Sequence, residues 1–334
     1  MSLKKKEREA AKQYLIEQIS RNRPDAVSHT ADTFGISPAA VYRYLKELRE
    51  QGVISGERRR YRLLTLKDKE FHYALSSQIS EEDIVFGDLM PFFDGVADNV
   101  LEIWRYALSE MLNNVLEHAK ASDCTVRIWQ NYMDTTVLIR DNGIGIFRNI
   151  MDFYHFSSPD IAIEELFKGK LTTNAEAHSG EGIFFTSRIM DLFAAISERN
   201  CFTQNKYDQI ISQFKEPLET DGTTVFMRLS NFSHKVLREL FDEYADVNGG
   251  FTKTKIPLKN IFETCPVSRS QAKRLYQRFD CFEEVILDFS EVTDIGQGFA
   301  HELFTVFSKA HPGVTLTPVN VNEAVKRMIY HVTH

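Results

Sequence analysis

Apolar positions recur at helical spacing over residues 11–21 and again over 26–34, where the second run stops at Gly35-Ile36-Ser37. A third run, from Pro38 to about Gln51, turns Val41, Leu45 and Leu48 inward, with Ser37 as its N-cap and Pro38 in the first helical position. Further on, Leu108, Met111, Leu112, Val115 and Leu116 make one apolar helix face. Residues 124–130 and 135–140 are rich in β-branched side chains and are joined by Asn131-Tyr132-Met133-Asp134, which predicts strand, turn, strand. A helix follows Gly180-Glu181-Gly182, and Thr224 to Leu229 reads as another strand. Near the C-terminus, strand patterns at 285–289 and 314–319 alternate with helices at about 298–310 and 321–330, the mark of a small α/β layer. The whole predicts a multidomain chain of α/β and α+β character. Its expected parts are a head at 1–65, a linker at 66–84, a central domain at 85–235 and a tail at 236–334.

Length and composition agree with two or three globular domains: 334 residues, 43% hydrophobic and 26% charged. The N-terminus lacks the apolar core of a signal peptide, and no apolar run is long enough to span a bilayer, so no membrane role is expected. Cys124, Cys201, Cys265 and Cys281 lack metal-site spacing and read as reduced cysteines of a cytoplasmic protein.

Charge changes the picture more. Residues 1–65 hold fourteen Lys/Arg against eight Asp/Glu, a net of +6, which leaves −13 on the remainder. A basic head on an acidic body points to nucleic acid at the head. Helix, glycine-containing turn, helix, and then the basic stretch Gly56–Arg62 make the pattern of a winged helix-turn-helix. Ser37, Ala39, Ala40 and Arg43 would face base edges, with Tyr42 and Lys46 on the outer faces of the same helix. Arg58, Arg59 and Arg60 would sit on phosphates. Such units also serve as protein-docking or dimerisation modules.

The candidate chemistry lies in four segments. In the helix at 109–118, Glu110, Asn114 and His118 share one stripe at i, i+4, i+8. An amide oxygen at Asn114 suits Mg²⁺, and a carboxylate one turn earlier could polarise a water or hydroxyl for attack on a phosphate. Asp141-Asn142-Gly143-Ile144-Gly145 places a carboxylate at a strand end, with Gly143 and Gly145 allowing close backbone approach. Taken alone, it is equally a turn with two glycines. Gly180 and Gly182 open a helix whose N-terminal N–H groups suit a polyphosphate. Asp221-Gly222-Thr223-Thr224 leads into the last strand of this region.

In this order, at intervals of 31, 39 and 40 residues, the segments resemble the ATP site of the Bergerat-fold (GHKL) ATPases, the group of gyrase B, MutL, the histidine kinases and the anti-sigma-factor kinases. The resemblance implies an α/β sandwich binding ATP with Mg²⁺, in which Glu110 activates the nucleophile and Asn114 holds the metal. It also implies that Asp141 and Thr223 hold adenine and that residues 146–179 form an ATP lid. Lys170, Thr172, Thr173, His178 and Ser179 are then the candidate lid contacts.

In the tail, Leu287-Asp288-Phe289-Ser290-Glu291-Val292-Thr293-Asp294-Ile295 resembles the STAS domain of anti-sigma-factor antagonists, the class that anti-sigma kinases phosphorylate. Those antagonists carry Asp-Ser-Ser-Gly, whereas this chain has Gly296-Gln297-Gly298, with no hydroxyl to take phosphate. The expected function is an ATP-responsive DNA-binding regulator. The alternative is a serine/threonine kinase acting on a separate partner. A histidine kinase is not expected, because no acceptor-histidine segment precedes the ATP site. Expected partners are DNA, a second subunit in a homodimer, and a regulatory protein.

Overall fold

The computed structural model describes residues 4–57, 60–75, 79–171, 180–206, 209–210, 221–246, 250–262 and 264–334. Arg58, Arg59, Thr172, Thr173, His178 and Ser179 lie outside them.

The head consists of α1 (Lys5–Ser20), α2 (Ala26–Phe34) and α3 (Pro38–Glu50), followed by a short antiparallel pair, β1 (Ile54–Ser55) and β2 (Arg62–Leu63). Ser37 caps α3 by accepting a hydrogen bond from Ala40 N at 3.3 Å, and Pro38 takes the first turn, where no N–H is needed. Leu15, Ile16, Ile19, Val41, Leu45 and Leu48 form the core of the head. Ala40 corrects an expectation. It belongs to the inward stripe with Val41 and Tyr44 and is buried, so it is not offered to a groove. Ser37, Ala39, Tyr42, Arg43, Lys46 and Arg60 are exposed.

Residues 66–84 were expected to be a linker. Instead, β3 (Lys67–Ala74) pairs along its full length with β4 (Asp123–Gln130) and forms one edge of a six-stranded sheet. Only Phe71 and Tyr73 of β3 pack on the core. Its other side chains are polar or small, so the alternation that betrays a half-buried strand is nearly erased. The sheet continues through β5 (Asp134–Asp141), β8 (Thr224–Ser230), β6 (Leu192–Ser197) and β7 (Asn200–Phe202), with every neighbouring pair antiparallel. Helices α4 (Asp98–Asn113), α5 (Ile146–Tyr154), α6 (Pro159–Lys168) and α7 (Gly182–Ile189) cover one face. Trp104, Leu108 and Met111 from α4 bury against Val126, Ile128 and Val137 of the sheet. The head rests on the β4–β5 turn, where Tyr132 and Met133 pack against the head's core.

The tail is built on a parallel three-stranded sheet in the order β11 (Thr315–Val319), β10 (Glu284–Asp288), β9 (Lys253–Pro257). The sequence pattern missed β9, in which only Thr254 and Ile256 are buried between outward lysines. Pro318 sits on edge strand β11, where a missing N–H costs no ladder bond. The predicted tail helices appear as Gln297–His301, continuing through a wider turn to Ala310, and Glu323–Thr333. Helix α8 (Leu237–Tyr244) joins centre to tail, with Phe241 against Phe185 at 4.7 Å between ring centroids and Tyr244 against Phe184 at 5.1 Å.

Candidate functional site

The ends of α4, β5, β8 and α7 converge on one cleft. Glu110, Asn114, His118, Asp141, Gly145, Gly180, Gly182 and Thr223, all expected from the motifs, line it. Its inner wall is apolar, from Ile150, Leu166, Phe193, Ala195 and Val225. A flat heteroaromatic ring system with a few polar edges suits a floor of this kind.

Asp141 is the best-defined polar group. It ends β5 and is buried, and its Oδ1 accepts hydrogen bonds from Gly143 N at 2.8 Å and Thr223 N at 3.2 Å. Burial pushes its pKa above the ordinary carboxylate range, and the two amides and the Thr223 hydroxyl oppose that shift without cancelling it. Gly222 must be glycine, because a Cβ there would lie 2.2 Å from the Asp141 carbonyl oxygen. Thr223 also accepts a hydrogen bond from Ile146 N at 3.0 Å, so the start of α5 is held by the same threonine.

The opposite wall carries the phosphate-type chemistry. A Cβ on Gly182 would fall 2.1 Å from Glu110 Oε2, so the first residue of α7 lies directly on the Glu110 carboxylate. The positive end of a helix therefore abuts a general-base candidate at the wall of the cleft, beside the place a terminal phosphate would take. Tyr106, one turn before Glu110, has its pKa driven far up by burial, with Glu110 and Glu181 adding to the shift, and so stays a neutral hydroxyl. The helix does not run on as a regular α-helix through the motif. It widens into a π-type segment over Asn114–His118, which changes the simple i, i+4, i+8 stacking. The far end of this segment is tied down by Asn149, whose Nδ2 donates to the His118 carbonyl oxygen at 3.2 Å.

Asn114 supplies an oxygen donor that fits Mg²⁺. Among the described residues no group of three His, Cys, Asp or Glu forms a cage for a metal. A Mg²⁺ ion here would therefore rest on the Asn114 amide together with waters and phosphate oxygens, a mode this ion commonly adopts.

Gly143 corrects an expectation: it does not line the cleft, and its close approach is to the backbone of Ala119, whose carbonyl oxygen a Cβ there would meet at 2.1 Å. Lys170 does not line the cleft either. Its Nζ donates to the Cys281 carbonyl oxygen in the tail at 2.9 Å and lies over the rings of Phe251 and Phe282. The described part of the predicted lid, residues 146–171, holds two packed helices, α5 and α6. Sequence reasoning missed Asn149, Glu181, Gly169 and Leu171 as lining residues. Asn149 follows Gly145 by one helical turn, and that spacing from the glycine turn was the signal that could have found it.

Residues 100–231 match the family model of histidine kinase-, DNA gyrase B-, and HSP90-like ATPases. Residues 271–326 match that of a STAS-like domain of unknown function (DUF4325). No curated protein matches the chain. A GHKL-type ATPase domain and a STAS-like domain thus share one α/β multidomain polypeptide, and the head lies outside both matches. The ATPase match implies nucleotide binding, and the pairing of domains points to ATP-dependent regulation. Among the described residues no helix is long and apolar enough to cross a membrane.

Proposed function

We propose that the chain is an ATP-binding, DNA-binding regulator, in which the nucleotide state of the cleft switches a winged helix-turn-helix head through the STAS-like tail. The observation that carries this reading is the convergence of Asp141, Thr223, Asn114 and Glu110, far apart in sequence, on one cleft with an apolar floor. Adenine would lie on that floor with its exocyclic amine donating to Asp141. The polyphosphate would run toward Gly180 and Gly182, and Asn114 would hold Mg²⁺ against it. Glu110 stands where it can take the proton of an attacking water or hydroxyl as the bond to the γ-phosphorus forms and the bridge to the β-phosphate breaks. The DNA reading draws on the exposed Tyr42, Arg43 and Lys46 of α3, the exposed Arg60 and the net charge of +6 on residues 1–65.

The test is to incubate the full chain with Mg²⁺ and γ-labelled ATP and follow the label. Free phosphate that disappears in Asn114→Ala establishes a turning-over switch. Label moving to an added protein, dependent on Glu110, converts the reading to a serine/threonine kinase. In parallel, the affinity for mixed-sequence duplex DNA is measured with and without ATP. Indifference of DNA affinity to saturating ATP would remove the coupling, since a ligand shifts only an equilibrium whose two states it binds differently.

A further inference from the structure

The segment that closes the cleft on the tail side is two-faced. Gly169 and Leu171 line the cleft, and Leu171 N donates to the Gly180 carbonyl oxygen at 3.2 Å. The residues between and before them, Lys168 and Lys170, turn the other way and are fastened to the tail. Lys168 is fully buried. Its ammonium pairs with Glu165 and donates to the carbonyl oxygens of Gln277 at 3.0 Å and Arg274 at 3.4 Å. Its own carbonyl oxygen accepts from Thr254 Oγ1 of β9 at 2.6 Å. Glu165 is shared: its second oxygen accepts from Arg278 Nη1 at 3.0 Å, and the other arm of Arg278 donates to the Lys170 carbonyl. Glu164, one residue earlier, pairs with Arg274 at 3.0 Å.

The helix of the phosphate wall reaches the same joint. Arg188 of α7 donates to the Phe167 carbonyl oxygen at 3.1 Å and to the Lys255 carbonyl oxygen of β9 at 3.0 Å. Each of these charges is matched by an opposite charge or by carbonyl oxygens. That arrangement resists being pulled apart, because removing Glu165 or Arg274 leaves a buried charge without its ion-pair partner.

We infer that residues 165–171 are a strut through which nucleotide occupancy of the cleft and the docking of the STAS-like tail are coupled, with Lys168 and Arg278 as its positioning residues. The inference rests on the nucleotide reading of the cleft and names the route by which the tail would sense it. Nucleotide contact with Gly169 or Leu171 shifts the backbone that carries Lys168 and Lys170. The network on the far side then either holds or yields as a unit. Coupling of this kind is reciprocal: loosening the tail must change nucleotide affinity by the factor through which nucleotide changes tail docking.

The experiment compares the wild-type full chain with Arg278→Gln/Lys170→Met, which loosens the joint and leaves Lys168 paired with Glu165. Amide hydrogen exchange is followed with and without Mg²⁺·ATP, and ATP affinity is measured by titration. In wild type, ATP should change exchange at tail residues 274–281, none of which lines the cleft, by about 5-fold or more, the lower end of ordinary allosteric coupling. In the double variant that response should vanish while ATP still binds with altered affinity. The single variant Lys168→Arg, which keeps the charge, should retain the response. Wild-type protein that binds ATP with no change at 274–281 overturns the strut and leaves the nucleotide site standing. Wild-type protein that binds no ATP overturns both.

Discussion

The cleft and the α6–tail joint are both places where charge is buried, and they handle it in opposite ways. At the joint, Lys168, Glu165, Arg278, Glu164 and Arg274 form ion pairs with one another across the boundary between domains. In the cleft, Asp141 is held by the backbone amides of Gly143 and Thr223 and by the Thr223 hydroxyl, and among the described residues no ion pair to it is seen. Burial disfavours the charged form in both places, lowering the pKa of Lys168 and raising those of Glu164 and Asp141, but the joint answers it with opposite charges and the cleft with hydrogen-bond donors. Asp141 also lines the cleft, where a ligand's donor can reach it, and the joint's charges do not.

The largest effect expected from breaking this contrast is on turnover. If Glu110 serves as general base, Glu110→Gln should slow phosphate release by about 100-fold or more while Mg²⁺·ATP binding persists. Assay of release beside equilibrium binding checks it, and loss of binding would reassign Glu110 to a structural role. Next is the joint. Glu165→Met should cost about 3–5 kcal/mol by leaving the buried Lys168 ammonium without its carboxylate partner, read as a lowered urea midpoint.

Asp141→Asn should do the reverse in the absence of nucleotide. An Asp whose folded pKa is raised takes stability away as pH climbs from the ordinary carboxylate pKa through the folded one, and the penalty is complete above it. An amide has no such penalty and can still accept from Gly143 and Thr223. Apo stability at pH 7 should therefore hold or rise while ATP affinity falls about 10–100-fold, for loss of a charged hydrogen-bond acceptor. Thermal melts with and without ATP separate the two effects.

The smallest change belongs to an exposed pair. Arg127 grips Asp68 with two bonds at 3.0 and 2.8 Å on the outer sheet face, which pulls the Asp68 pKa down. That contribution is present above the usual Asp range and lost as pH falls through the lowered pKa. Asp68→Asn should cost only about 0.2–1 kcal/mol at pH 7. A larger cost would mean that β3 is held by this pair more than by its ladder.

The motifs around the cleft were legible because each couples a chemical residue to local geometry: a carboxylate at a strand end, glycines before a helix, an amide on an amphipathic stripe. The head's helices were legible for the same reason, through caps and glycines that act within a few residues. Strands β3 and β9 were not, because their stability comes from pairing and from one covered face rather than from their own apolar content. Lys170 went astray since a lysine after a glycine reads identically whether it meets phosphate or a distant carbonyl. Ala40 went astray since alanine carries almost no signal of side.

Sequence by itself determined the order of the helices of the head and of the motif-bearing elements, the motif residues around the cleft and the lack of a phosphoacceptor hydroxyl at Gly296-Gln297-Gly298. These follow from short-range rules that a few neighbouring residues obey. Tertiary structure alone decided that α6 and the tail share one buried network, that Asn149 secures the end of the Asn114–His118 segment, and that Gly182 lies on Glu110. Those relations join residues tens of positions apart, and only chain packing brings such groups within hydrogen-bonding range.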